Sequence, residues 1–554
     1  MSKTVKVSAL GWISGVAGTK KLYIVFLMLI HIVQGGCSVG MAVILKQVVD
    51  AAVSKNRQEF ATFIGWLIGL ICGQIVLAAI NKFLDEYTYA TLENSFKSRI
   101  FNELLKRDYA TVTTKHSGEW MNRLTSDTVV VADGLTHILP GLAGMLVKLL
   151  GALALIIMYL PKIAYIIIPG GVLLLGITYG IRKVMKKMHK SVQEADGHLR
   201  VFLQENLGSM MVVRAFAREK ETVIGADSKM TAHKNARMKR NAFSNMCNAG
   251  FATVMNGVYI FCVGYCCYGI LYGNISYGTL MAIMQLVGQI QAPLANITGV
   301  LPKYYAMTAS AERLMEVEGF EENNVEVKGL EEINKFYDNE LQSIAIKNGA
   351  FSYVSDDEEK VLQNINVEIH KGEFVALTGP SGCGKSTLLK LLMCLYPLNE
   401  GEKVISANGG NIELSSDYKR LFAYVPQGNH LMSGTIRQVV SFYDDEKMKS
   451  DEEINTALKI ACADEFVGEL KDGIDTLLGE RGLGLSEGQM QRIAIARAIF
   501  ADCPILLLDE STSALDEKTE KQVLENVRKM TNKTVIIVTH RPAALAICDR
   551  KIEM

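Results

Sequence analysis

Charge of one sign is the first thing this sequence lacks: 58 Lys and Arg stand against 58 Asp and Glu, a formal net charge of zero over 554 residues. A balanced chain gives a nucleic-acid partner no electrostatic support. A C-x-x-C pair is also missing. The eleven cysteines are scattered, and several lie in apolar runs (Cys37, Cys72, Cys262, Cys266, Cys267) without His or carboxylate companions. That speaks against a metal site and reads as reduced thiols acting as small apolar side chains. No small-residue cleavage site follows the first apolar run, so that run is expected to stay as a helix rather than serve as a secretion signal. What is plentiful is apolar. Hydrophobic residues make up 49 % of the chain, and the mean hydropathy is positive. Both are high for a soluble protein and point to a membrane. The length is too great for one core, so two or more domains are expected.

The stretch the chain is organised around runs from Thr378 to Thr387, T-G-P-S-G-C-G-K-S-T. Gly379, Pro380, Ser381, Gly382, Cys383, Gly384, Lys385 and Ser386 fit G-x-x-x-x-G-K-[ST], the phosphate-binding loop of nucleotide hydrolases. A strand-like run, Phe374 to Thr378, precedes it, and a helical pattern follows from Ser386. The glycines let the backbone turn sharply and aim its N–H groups at phosphate oxygens. The helix start adds its positive end. Lys385 is expected to reach the β- and γ-phosphates of ATP, and the Ser386 hydroxyl to ligate Mg²⁺.

Six stretches in the first half are long and apolar enough to span a bilayer: 22–44, 60–84, 139–160, 163–181, 251–271 and 280–301. Two connections, 85–137 and 182–250, are long, charged and helical in pattern; the others are short. Lys3, Lys6, Lys20 and Lys21 mark the N-terminus, and Arg182, Lys183, Lys186, Lys187 and Lys190 open the second long connection. The positive-inside rule then places both long connections and both termini in the cytoplasm of a multi-pass protein of the cell membrane. Each long connection is expected to fold back through a short crossing segment, one near 109–118 ahead of G-E-W-M-N-R-L-T-S-D, the other near 206–217.

Polar side chains inside a bilayer are costly and should face the interior. Gln285, Gln289 and Asn296 fall within about 40° on the sixth helix at 100° per residue. Asn245, Asn248, Asn256 and Tyr259 share a face of the fifth. Each stripe reads either as a wall of a substrate cavity or as interhelical hydrogen-bond glue. Lys148, the clear charge within a span, either snorkels to the surface or sits in a wet cavity.

Composition changes after Ala309-Ser-Ala-Glu-Arg-Leu-Met-Glu-Val317. The segment to Gln342 is acidic, Asn-rich and without a strong period, so it reads as a linker. Domains are therefore expected at 1–320 and 343–554, with 321–342 between them. Beyond the linker, ordered signals appear: Phe351-Ser-Tyr353, Ala423-Tyr-Val-Pro-Gln427, Leu485-Ser-Glu-Gly-Gln489, Pro504-Ile-Leu-Leu-Leu-Asp-Glu510, Ser513-Ala-Leu-Asp516 and Thr534-Val-Ile-Ile-Val-Thr-His540. Asp509, at the end of a buried strand, is expected to hold Mg²⁺. Glu510 is the candidate general base for the attacking water. Ser486 and Gln489 also fit an S-x-x-Q capping box.

In that order these motifs resemble ATP-binding cassette (ABC) transporters, specifically an exporter-type half-transporter. The two crossing segments are similar to that family's intracellular loops, which dock on the nucleotide domain, and Ser310-Ala-Glu-Arg313 is similar to its S-A-x-R end. The resemblance implies an all-α bundle of six transmembrane helices with long cytoplasmic extensions, followed by an α/β P-loop ATPase domain. It makes Tyr353 the aromatic that stacks on adenine, Gln427 the glutamine near Mg²⁺ and water, and His540 the γ-phosphate contact. It makes Ser486, Gly488 and Gln489 the signature that binds ATP held by a second chain's phosphate loop, Thr387 included, and Asp516 part of the dimer-contact loop. Glu487 departs from the family's L-S-G-G-Q. The chain also stops soon after His540, which would leave the cassette's edge minimal, and no cysteine-protease domain precedes the first span. The implied activity is ATP-driven transport of a small molecule, lipid or peptide through a lipid bilayer, by a homodimer or heterodimer with a second half-transporter. An importer on the same fold, or an ATP-gated channel or regulator, is the alternative.

Overall fold

The computed structural model describes residues 8–320, 322, 326–353, 360–428, 431–442, 450–479 and 484–554. The chain divides into two compact units, one formed by Met1–Glu103 and Ser117–Gly319, the other by Leu104–His116 and Phe320–Met554.

The first unit is built on six long helices. They are α1 (Ala9–Val53, with a 3₁₀ turn at Gly18–Lys20), α2 (Arg57–Lys106), α3 (Ser117–Tyr159), α4 (Pro161–Gly208), α5 (Glu219–Leu271) and α6 (Tyr277–Met315). Among the described residues, α1, α2, α3 and α5 are long and apolar enough to cross a membrane. The other two expected spans, 163–181 and 280–301, run inside the unbroken helices α4 and α6. Ala42, Ile156, Cys266, Ile283 and Leu286 bring α1, α3, α5 and α6 into one apolar core. The end of α1 is fastened to the start of α6 by Asp50, which accepts from the Gly278 N–H at 2.9 Å, the Ser276 hydroxyl at 3.1 Å and the Lys46 ammonium at 2.9 Å.

Two motifs singled out in the sequence interlock at the far end of this unit. Ser310 and Arg313 on α6 both donate to the buried Asp127 of α3, each at 2.9 Å. Arg123, stacked over Trp120, donates to the Arg313 carbonyl at 2.6 Å and to Glu316 at 2.7 Å. Buried charges persist when each is paired and hydrogen-bonded, as here, and α3 widens to a π-helical turn at Arg123–Asp127 to present both.

The two polar stripes behave differently. Gln289 donates to the Ser38 carbonyl of α1 at 2.6 Å, which is helix–helix glue. The side chain of Asn296 lies outside those described. On α5, Asn245, Asn248 and Asn256 are exposed, so this stripe does not face the interior of its own chain; only Tyr259 packs against the core. Lys148 is half-buried on α3.

The second unit carries two sheets. The antiparallel one has order β2-β1-β4-β5, from β1 (Leu341–Phe351), β2 (Leu362–His370), β4 (Glu400–Ala407) and β5 (Gly410–Glu413). The parallel one has order β11-β3-β10-β9-β6, from β3 (Phe374–Thr378), β6 (Phe422–Val425), β9 (Ile505–Asp509), β10 (Thr534–Val538) and β11 (Arg550–Glu553). Two-residue strands β7 (Gly434–Thr435) and β8 (Leu477–Leu478) pair separately. Strand side chains alternate between faces, and that alternation builds two cores. Leu506, Leu508, Val535 and Ile537 face one. Leu507, Ile505, Ile536 and Val538 face the other, together with Leu388, Leu389, Leu391 and Leu392 of the helix that follows the phosphate loop.

The stretch expected to be a plain linker holds a helix, α7 (Leu330–Asn339), with Ile333 and Tyr337 fully buried in the second core. An i, i+4 pair is enough to seat one face of a short helix, and the acidic, Asn-rich remainder hid it.

Candidate active site

Parallel strands deliver their C-terminal ends to one edge of a sheet, which is where open α/β sheets carry ligands. Here β3 leads into the phosphate loop, β9 ends in Asp509-Glu510, β10 leads to His540 and β6 to Gln427. The loop turns into helix α8 (Lys385–Leu392) through Gly384, its N-cap, at φ +100°. A Cβ there would push into the end of the Leu362 side chain, and the left-handed backbone would strain any residue but glycine. Lys385 is 6 % exposed, and its ammonium donates to the Gly379 and Pro380 carbonyls, each at 2.8 Å. The residue expected to reach phosphate thus lies folded into its own loop, while Ser381 and Gly382 form the exposed rim and Cys383 is half-buried.

Asp509 is 2 % exposed and both its oxygens are engaged. Ser386 donates to Oδ1 at 3.0 Å and the Tyr424 hydroxyl to Oδ2 at 3.1 Å. Burial, and then the charge of Asp509, push the Tyr424 phenol well above its ordinary pKa, so it remains a donor. Glu510 sits at φ +47°, a left-handed backbone unusual for a side-chain-bearing residue. It is pinned there by its N–H on the Val538 carbonyl at 3.1 Å, and its Oε2 accepts from Gln427 Nε2 at 2.9 Å. Strain of this kind gathers at functional sites. The hydroxyl, carboxylate and amide oxygens of Ser386, Asp509 and Gln427 are hard donors of the kind Mg²⁺ takes, so the residues fit that ion.

Tyr353 is tied down on both sides. Its hydroxyl shares a 3.0 Å hydrogen bond with Thr387 Oγ1, and its ring meets Tyr396 edge-on at 5.2 Å and Phe351 at 4.9 Å. Tyr396 in turn meets the ring of Tyr109 at 5.7 Å and shares a 3.1 Å hydrogen bond with Thr113. Tyr109–Val112 is the short helix at the tip of the first long connection, and it belongs to this unit. Arg107 fastens the same segment by donating to the Phe320 carbonyl at 2.8 Å.

Ser486, Gly488 and Gln489 stand apart on α9 (Glu487–Phe500). Ser486 and Gln489 close the capping box, with Gln489 N–H on Ser486 Oγ at 3.3 Å and Ser486 N–H on Gln489 Oε1 at 2.8 Å. A serine hydroxyl that accepts in a cap still has its proton to donate. Ser486 and Glu487 are exposed. At Gly488 a Cβ would lie 3.0 Å from the Ala514 carbonyl, so the signature backbone lies close against the loop after Glu510. Gln491, buried, strengthens that seam through Ser513 Oγ at 3.1 Å and the Ala514 N–H at 3.0 Å. Arg541 braces the loop by donating to the Ser513 and Leu515 carbonyls, each at 2.7 Å. Asp516 caps α10 (Glu517–Arg528), accepting from the Thr519 N–H at 3.0 Å. The Thr519 side-chain hydroxyl first, and then this N–H, hold its carboxyl below the usual range. His540 is exposed at the end of β10.

Sequence reading singles out the phosphate loop, the acid pair, Gln427 and Tyr353, and the fold brings them to one edge. It missed Tyr424, Tyr396, Gln491 and Arg541. Tyr424 lay inside a quoted motif, and pairing its strand against Leu-Leu-Leu-Asp would have put it on the face of Asp509. The other three carried no signal beyond adjacency to motifs.

A phosphate loop at the end of a parallel strand, with an acid pair closing a strand of the same sheet, defines a nucleoside-triphosphate hydrolase. Residues 24–294 match the family model of the ABC transporter transmembrane region, and residues 362–513 that of the ABC transporter itself. An uncharacterized ABC transporter ATP-binding protein of Bacillus subtilis is 27 % identical over 505 residues, 89 % of this chain and 85 % of the relative. An ATP-dependent lipid A-core flippase of Pasteurella multocida is 27 % identical, covering 92 % of this chain and 87 % of the relative. A bacterial Atm1-family ABC exporter, solved with ATP bound, superimposes with a TM-score of 0.80 over 97 % of this chain and 94 % of its own, at 22 % identity, a likeness of fold. The chain belongs to the ABC transporters, as an exporter-fold member that joins a multi-pass transmembrane region to an ATP-binding, ATP-hydrolysing domain in one polypeptide.

Proposed function

We propose that this chain is half of a dimeric transporter in which each ATP is held between one chain's phosphate loop and the other chain's signature. Ser486 and Glu487 are exposed at a helix N-terminus, and the bonds of Ser486 and Gln489 close only their own cap. A helix start with a hydroxyl proton to spare suits a phosphate delivered from outside the chain. Glu487, at the first helical position, favours the helix dipole. Homodimer and heterodimer both satisfy this geometry.

Within the site, Lys385 exchanges the Gly379 and Pro380 carbonyls for the β- and γ-phosphates. Tyr353 offers its ring to adenine. Ser386, Asp509 and Gln427 would hold Mg²⁺, which would supply positive charge to the phosphates. Glu510 polarises the attacking water, with Gln427 orienting its carboxylate. Lys385, the signature helix and His540 stabilise the charge that spreads over the transferring phosphoryl group. The docked segment around Tyr109 carries the cassette's motion to the helices, whose long connections and termini lie in the cytoplasm by the distribution of Lys and Arg. The cargo is a small molecule, lipid or peptide; the flippase relative favours the lipid end of that range.

The observation that carries this mechanism is the strained Glu510, held at 2.9 Å by Gln427 beside the fully engaged Asp509. Glu510→Gln should bind ATP as the native chain does and hydrolyse it at least about 100-fold more slowly. Unchanged turnover in the reconstituted variant would remove Glu510 from the role of base.

A further inference from the structure

We propose that Tyr424 is a positioning residue for the carboxylate of Asp509, fixing the rotamer in which that group faces the metal; this rests on Asp509 holding Mg²⁺. In the register of β6 and β9, Tyr424 lies beside Leu507 and Val425 beside Leu508. Asp509 is two residues beyond Leu507 and so shares its face. A phenol is long enough to run along the strand and reach it, and its hydroxyl donates to Oδ2 at 3.1 Å. Ser386 donates to Oδ1 at 3.0 Å. A hydroxyl that gives an oxygen lone pair to a cation can keep its proton on Oδ1, so Ser386 by itself leaves the carboxylate hinged on one bond. Tyr424 supplies the second and stops rotation about that hinge.

Asp509 is 2 % exposed, so water cannot readily replace a lost donor. Removing the phenol hydroxyl has two opposed effects on a cation. It frees electron density on Oδ2, which strengthens attraction, and it lets the carboxylate turn, which weakens it. In a rigid octahedral site the geometric loss dominates, because Mg²⁺ tolerates little departure from ideal coordination. The effect is specific to the metal. Nucleotide without metal would be held by the loop and Lys385, whose ammonium donates to Gly379 and Pro380, while the Tyr424 hydroxyl donates to Asp509.

The test uses the full chain in lipid nanodiscs with a non-hydrolysable ATP analogue, titrated with Mn²⁺ and read by electron paramagnetic resonance. Tyr424→Phe, which keeps the ring, should weaken Mn²⁺ about three- to tenfold while metal-free binding of the analogue stays within error; the thermal midpoint should fall slightly, because Oδ2 loses a buried donor. Unchanged Mn²⁺ affinity in Tyr424→Phe overturns the proposal. So does a parallel fall in metal affinity and metal-free nucleotide affinity, which marks a purely structural hydroxyl. Asp509→Asn separates the two layers. If it weakens Mn²⁺ and Tyr424→Phe does not, only the positioning role fails. If Asp509→Asn leaves Mn²⁺ affinity intact, the underlying assignment of Asp509 falls, and this proposal with it.

Discussion

Gly384 carries two constraints that no other residue meets. Its φ of +100° is open to glycine at little cost, and Leu362 Cδ2 occupies the space a Cβ would need. Gly384→Ala therefore combines backbone strain of about 1–2 kcal/mol with a steric clash. The expected result is loss of nucleotide binding out of proportion to loss of fold. Titration with a fluorescent ATP analogue should show at least about a tenfold weaker dissociation constant, a 1.4 kcal/mol change. Calorimetry should show the ATPase unit still folding cooperatively; native affinity would mean the loop tolerates a different turn. The identity of the loop was plain in the sequence because its chemistry is local: glycines, lysine and serine act on their own backbone. Tyr424 was hidden because its partner sits on another strand, and only register decides which side chains of two strands share a face.

At the scale of elements, the short helix Tyr109–Val112 is the informative one. Sequence placed a crossing segment at 109–118, and the structure finds it packed against Tyr396 within the ATPase unit. Four rings and hydroxyls then run without a break from Tyr109 through Tyr396 and Tyr353 to Thr387 beside the phosphate loop. If that chain carries coupling, it must show in a double-mutant cycle. Tyr109→Ala and Tyr396→Ala should each raise the KM for ATP, and the double variant should be no worse than the weaker single. A coupling energy of about 0.5 kcal/mol or more is the threshold for residues in one network; additive effects would mean two independent contacts. The helix Leu330–Asn339 teaches the converse. Its seat, Ile333 and Tyr337 with Phe336 beside them, follows helical spacing, and the surrounding acids masked that short period.

For the whole molecule, the decisive feature is a signature helix that is capped yet open to the outside. A composite site predicts that hydrolysis belongs to a pair. The chain, tagged and purified from its native membrane in mild detergent, should carry ATPase activity only in material of twice its 61.0 kDa, as two copies or with a second half-transporter. Light scattering with activity measured across the elution profile checks this; full activity in the single-chain fraction would rule the composite site out.

The sequence by itself determined the class of machine. Apolar runs of bilayer length and a loop that binds phosphate with its own backbone are one-dimensional facts, because each is made by neighbours along the chain. Tertiary structure decided everything that depends on neighbours in space. It set Tyr424 on Asp509, tied Gln427 to a strained Glu510, seated Tyr109 on Tyr396, and clamped Ser310 and Arg313 on Asp127. Those contacts join residues far apart in the chain, and only the packing of strands and helices brings them within hydrogen-bonding reach.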